Sequence, residues 1–230
     1  MNILFWDIDG TLVKTSKSGI YAFEQATHDI WKQSVDFDKI EAAGMTDNYI
    51  AAQVIELVTG RQASAEEVAA LTKRYEELLP TQLYARGGRI MPSVREILDY
   101  VDEQDDYLSL LLTGNSKTGS EIKLKYFELD YYFNWELSAF CDTYYSRIDI
   151  AKCAAAAVEK LQHAVGTHTI FVIGDTPNDI ACGKSIGAYT IAVATGHYTV
   201  EQLKDCSPWW AVEKLPNPSE FAEKLRSVNS

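Results

Sequence analysis

Three apolar runs in this 230-residue chain each stop at polar residues. Residues 3–6 run into Asp7 and Asp9, with Gly10 directly after. Residues 108–112 run into Thr113-Gly114-Asn115, and residues 169–173 run into Gly174-Asp175, with Asp179 in the next turn of chain. Each run has the length and residue types of a buried strand. Helically spaced apolar residues separate the runs, and strands alternating with helices make an α/β fold with a parallel sheet. In such a fold crossovers are right-handed and the site lies beyond the carboxyl ends of the strands. If the three runs are neighbours, their polar ends converge on one spot.

The first end carries the sharpest chemistry. In an extended segment Asp7 and Asp9 point to one side while Ile8 packs the other way, and Gly10 lets the backbone turn. Two carboxylates so close repel, and burying both as anions demands a compensating cation. Asp175 and Asp179 add two more acids, and carboxylate oxygens suit a hard cation such as Mg2+.

Residues 14–19 (KTSKSG) read as a loop. Helices are expected over 20–31 and 47–58, the second with Ala51, Val54, Ile55 and Val58 on one face. A third starts at Ser64, where Glu67 completes a capping-box pattern, and Pro80 is expected to close it. Arg86-Gly87-Gly88-Arg89 reads as a hinge, so residues 15–86 form an all-helical block. Further helices are expected from Pro92 and over 118–127, 150–161, 176–186, 200–204 and 218–228. Short strands are expected at 137–140 and 190–193, with an edge strand near 209–212.

The formal net charge of -12 argues against a nucleic acid polymer and against anionic membrane surfaces. A small anionic substrate remains compatible, because a local metal and a few cations invert the potential of one cleft. The four cysteines form no CxxC pair and read as reduced thiols. No run of about 18 apolar residues exists, and Asp7 interrupts the first run too soon for a signal peptide. The expected location is cytoplasmic, as a monomer or weak homodimer.

Taken together, DIDGT at 7–11, LLTGN at 111–115 and GDTPNDI at 174–180 resemble the motifs of the haloacid dehalogenase-like (HAD) hydrolase superfamily. The resemblance covers essentially the whole chain, and the helical insertion between the first two motifs is similar to that of the phosphoglycolate phosphatase-like subgroup. It implies a Rossmann-like doubly wound parallel sheet core, residues 1–14 and 87–230, with an inserted all-helical cap, residues 15–86. It implies Mg2+-dependent hydrolysis of a small phosphorylated metabolite through an aspartyl-phosphate. Carried over motif by motif, Asp7 is the nucleophile and Asp9 the general acid and base. Thr113 and the N–H groups of Gly114 or Asn115 bind the phosphoryl oxygens. Mg2+ is held by the Asp7 carboxylate, the Asp9 carbonyl and Asp175, with Asp179 beside them.

The family's third motif is a lysine or arginine, often followed by proline. The segment here, Tyr144-Tyr145-Ser146-Arg147-Ile148-Asp149, lacks the proline. Arg147 is the basic residue at the right place, with Lys152 as the alternative. A phosphomutase and a non-catalytic phosphate-binding protein stand as alternatives to a phosphatase. Lys14, Lys17, Thr46, Asn48, Arg86 and Arg89 lie near the hinge and cap loops and read singly as solvated groups. The Gly44-Met45-Thr46-Asp47 turn reads either as a plain turn or as a substrate-reading loop.

Overall fold

A computed structural model describes residues 1–165 and 168–229. The elements run β1 (Asn2–Trp6), β2 (Val13–Lys14), α1 (Ser18–Trp31), α2 (Asp47–Thr59), α3 (Ala65–Arg86), β3 (Arg89–Ile90), α4 (Val94–Asp102), β4 (Tyr107–Leu111) and α5 (Lys117–Tyr126). They continue α6 (Arg147–Val165), β5 (Thr169–Gly174), α7 (Pro177–Ser185), β6 (Tyr189–Val193), α8 (Val200–Asp205), β7 (Trp210–Val212) and α9 (Pro218–Arg226). Residues 137–140 make only an isolated bridge, Ala139 to Leu112, rather than a strand.

Five strands form one parallel sheet in the order β4-β1-β5-β6-β7. The chain leaves β1 towards β4 and then crosses back to β5, so the winding reverses beside β1, where such folds open a crevice. All five residues of β1 are buried, and alternation sends them into two layers. Leu4 and Trp6 join the side covered by α4 and α9, through Ile97, Leu98, Phe221 and Leu225. Ile3 and Phe5 join the side covered by α6 and α7, through Ile150, Ala154, Val158 and Cys182. The sheet is therefore doubly wound.

Register places the polar ends at one level. Trp6 stands opposite Leu111 on one side and Ile173 on the other. The Asp7 N–H continues the ladder to the Ile173 carbonyl at 3.0 Å, and the Leu112 N–H reaches the Trp6 carbonyl at 2.9 Å.

Helices α1, α2 and α3 lie between β2 and β3, which pair antiparallel where the chain leaves and re-enters the sheet region. The capping box of Ser64 and Glu67 opens α3. Pro80 does not end that helix, contrary to expectation: it lies inside it, and α3 runs on to Arg86. Proline removes one backbone bond, at a cost of about 3 kcal/mol. Packing on both sides of it offsets that loss. Leu78, Leu79 and Leu83 are buried, and Tyr75 stacks on Phe23 of α1 with centroids 4.0 Å apart.

Candidate active site

Three acids meet at the carboxyl edge of the sheet. Asp7 follows β1, Asp175 follows β5, and Asp179 sits in the first turn of α7. Thr176 caps α7, and the Asp179 carboxylate accepts from the Thr176 N–H at 3.0 Å, a capping box that fixes the acid in place. All three are buried, and one carboxylate oxygen from each lies within 4.8 Å of the others. Burial and then repulsion from Asp179 push the Asp7 carboxyl up to about 7. Burial, Asp179 and Asp7 push Asp175 up to about 9. Gly10 and Gly196 press against this cluster, and a Cβ at either would collide with Asp175 Oδ2.

Arg147, the first residue of α6, reaches into the acids. One guanidinium nitrogen donates to Asp7 Oδ1 at 3.1 Å and the other to Asp179 Oδ1. Burial lowers a guanidinium's affinity for its proton, but Asp179 and Asp7 outweigh it, and Arg147 stays charged. Lys152 lies away from the site, 65% exposed and paired with Asp149 at 3.4 Å. Asp175 takes a hydrogen bond from Thr11 Oγ1 at 3.2 Å but has no cation among the described residues. Three buried carboxylates against one guanidinium leave excess negative charge, and an all-oxygen donor set fits Mg2+.

A second cluster stands beside the first. Asp9 is half-exposed, and its carboxylate faces not the acids but a lysine that no motif marks. Lys123 Nζ lies 2.5 Å from Asp9 Oδ2 and 2.5 Å from Asn115 Oδ1, while Asn115 Nδ2 donates to Asp9 Oδ2 at 3.0 Å. Thr113 Oγ1 in turn accepts from Asn115 Nδ2 at 2.8 Å. Lys123 is buried on α5 with Gly119, Ser120 and Leu124. Burial lowers its affinity for a proton, but Asp9 and Asp47 more than reverse the effect and it titrates above its ordinary value. Its signal in the sequence was a lysine three residues after Ser120 and next to Leu124, on the inward face of a helix.

The segment around Gly44 seats the helical block on the sheet region. The Asp47 N–H donates to the Gly114 carbonyl at 2.8 Å, and the Asp47 carboxylate accepts from the Ser116 N–H at 2.9 Å, at the open end of α5. Thr46 Oγ1 donates to the Tyr145 carbonyl at 3.1 Å, Asn48 Nδ2 to the Asp142 carbonyl at 2.9 Å, and Asn178 Nδ2 to the Gly44 carbonyl at 3.0 Å. Thr46 and Asn48 are thus buried links rather than solvated groups. Gly114 has no room for a side chain, because a Cβ there would strike the Met45 carbonyl. Burial pushes the Asp47 carboxyl up to about 6. Lys14 and Lys17 are exposed, and Arg86 lies over the Tyr21 ring.

Between the two parts lies a cavity of about 450 Å3 that contains Asp7, Asp9, Asn115, Lys123, Arg147 and Asp175 in its wall. His197 is exposed and also lines it. The convergence read from the strand ends is therefore present. It divides into an acid cluster with Arg147 and a polar chain from Thr113 through Asn115 and Lys123 to Asp9. Among the described residues no helix is long and apolar enough to cross a membrane.

Comparison with known proteins agrees with this layout. A family model described as haloacid dehalogenase-like hydrolase matches residues 1–187, and a second HAD-hydrolase-like model matches residues 150–226. The chain is 24% identical over 229 residues to "Probable phosphatase IndB" of Dickeya dadantii, covering 99% of this chain and 96% of that one. It is 24% identical over 172 residues to a phosphoglycolate phosphatase of Mannheimia succiniciproducens, covering 74% and 70%. Among solved structures, a family IA, variant 3 HAD hydrolase from Entamoeba histolytica superposes with a TM-score of 0.73 at 16% identity, covering 98% of this chain and 100% of that one.

Proposed function

The chain belongs to the haloacid dehalogenase-like hydrolase family, and within it we propose a Mg2+-dependent phosphatase acting on a small phosphomonoester through an aspartyl-phosphate on Asp7. The observation that carries this reading is the buried meeting of Asp7, Asp175, Asp179 and Arg147 at the edge where the sheet's winding reverses. The phosphatase names of the two relatives support it.

Asp7 attacks phosphorus as the bond to the leaving oxygen breaks, and the phosphoryl group moves to its carboxylate. A carboxylate approaching a phosphate dianion meets strong repulsion, so the barrier is largely electrostatic. Arg147 counters it, because its guanidinium already touches Asp7. Asp7, Asp175 and the Asp9 carbonyl would hold Mg2+, with Asp179 beside them. When bound, the ion supplies positive charge that draws the nucleophile and the phosphoryl oxygens together. Thr113 and the N–H of Gly114 or Asn115, before the start of α5, would bind phosphoryl oxygens.

Asp9 gives its proton to the leaving oxygen, then takes one from the water that attacks the aspartyl-phosphate. Lys123 and Asn115 hold the Asp9 carboxylate towards the cavity for both transfers. The helical block, residues 15–86, acts as the cap: seated through Asp47 and Thr46, it shields the acyl phosphate from bulk water.

The test is phosphate release from 4-nitrophenyl phosphate, with Mg2+ or with a chelator, by wild type and Asp7→Asn. The reading expects Mg2+-dependent release that the substitution abolishes. Release that persists in the variant, or that ignores the chelator, contradicts it.

A further inference from the structure

The wall of the cavity opposite the acids has a character of its own. Ile20, Phe23, Phe37, Met45, Ile50 and Tyr75 line it, all from the helical block. A leaving group must occupy this side, since Asp7 and Asp175 take the other. The wall also contains Asp47, a buried acid whose N–H and carboxylate are both spent on Gly114 and Ser116. Every buried cation near it is already committed: Lys123 to Asp9, and Arg147 to Asp7 and Asp179. Lys14, Lys17 and His197 also line the cavity, but all three are exposed, so water already solvates their charge and an anion gains little from them.

A phosphoester whose alcohol carries a second anion would place that anion among apolar side chains and beside a carboxylate. Burying such a charge without a partner is costly. A sugar's hydroxyls would meet Thr15, whose hydroxyl already donates to Asp9, the exposed Ser16, and otherwise mostly apolar side chains on the same wall. An apolar alcohol loses nothing there and gains from leaving water. The volume, about 450 Å3, lies within the range of small-molecule sites and exceeds what a two-carbon acid needs.

We propose that the cavity selects phosphomonoesters of apolar alcohols, aryl or medium-chain alkyl, and rejects those whose alcohol bears a carboxylate. This rests on the phosphatase reading for turnover, while the selectivity itself belongs to the wall and is readable by binding alone.

The experiment has two arms. In the first, kcat/KM is measured with Mg2+ for ethyl, butyl, hexyl and benzyl phosphate beside 2-phosphoglycolate, for wild type and Ile20→Lys. The alkyl series keeps leaving-group basicity nearly constant. Each buried methylene is expected to raise kcat/KM about fourfold, with 2-phosphoglycolate at or below ethyl phosphate. Ile20→Lys places an ammonium on the wall, and it is expected to cut hexyl phosphate turnover at least tenfold while sparing or raising that of 2-phosphoglycolate. In the second arm, calorimetry compares hexylphosphonate with phosphonoacetate on wild-type protein with Mg2+. Tighter binding of hexylphosphonate supports the proposal even if no ester is turned over, an outcome that would sink only the phosphatase reading. A flat alkyl series, or phosphonoacetate binding as tightly as hexylphosphonate, overturns the selectivity and leaves the phosphatase reading standing.

Discussion

Lys123→Met tests the part of the site that the motifs did not announce. Methionine keeps the length and apolar stem of the side chain but removes the ammonium. Two contacts of 2.5 Å are lost, one to Asp9 Oδ2 and one to Asn115 Oδ1. Breaking a fully buried ion pair costs about 3–5 kcal/mol. The Asp9 side chain is 41% exposed, however, and Lys123 only 4%. Asp9 therefore recovers water when its partner goes, and the desolvation of the ammonium disappears with it. The expected loss of stability is only about 1–2 kcal/mol. The effect on turnover is larger. A positioned general acid and base contributes about 10²–10⁴-fold, and without Lys123 the Asp9 carboxylate keeps the Asn115 bond at 3.0 Å as its main anchor. A kcat fall of roughly 10²-fold is expected, about 2.7 kcal/mol, with KM changed by less than about threefold. The assay is steady-state phosphate release with a thermal melt beside it. The decisive comparison adds Asp9→Asn and the double variant. If Lys123 works through Asp9, the double variant is no slower than Asp9→Asn alone. A kcat within threefold of wild type, or two losses that simply multiply, refutes the assignment.

Two further substitutions read other parts of the site. Arg147→Ala should lower kcat by roughly 10²-fold or more, whereas Lys152→Ala, at an exposed pair in the next turn of α6, should stay within about twofold; the reverse order would give Lys152 the role. Asp47 is pushed from 3.8 to about 6 by burial, so its protonation stabilises the fold fully below about pH 4, and that contribution fades as pH rises through about 6. The difference amounts to roughly 3 kcal/mol. In urea melts, Asp47→Asn should shrink the stability difference between about pH 4 and about pH 7 by that order, and an unchanged difference would contradict the burial of an ionisable Asp47.

What could be read from the chain alone follows from range. Asp7, Asp9, Thr113 and Asp175 are legible because each stands at the end of an apolar run, with Asp179 one turn of chain beyond the last, and the rule that sites open at carboxyl ends needs no side-chain contact. Arg147 could not be told from Lys152 by spacing, because the choice depends on which residue begins α6 and how that end faces the acids. Lys123 was hidden for a different reason: its partner Asp9 is 114 positions away, and a lysine on an amphipathic helix ordinarily faces water. Thr46, Asp47 and Asn48 read as loop and cap residues because their partners belong to segments around Gly114 and 141–145. Pro80 misled because local chemistry says stop, and the buried leucines around it say continue.

Turnover by this route requires a phosphoryl group carried by Asp7. The most direct measurement is rapid acid quenching of wild type with benzyl phosphate and Mg2+, followed by proteolysis and mass spectrometry of the N-terminal peptide. A phosphoryl adduct on Asp7 should appear before free phosphate accumulates and be absent from Asp7→Asn. Steady phosphate release with an unmodified Asp7 peptide at every quench time would contradict it.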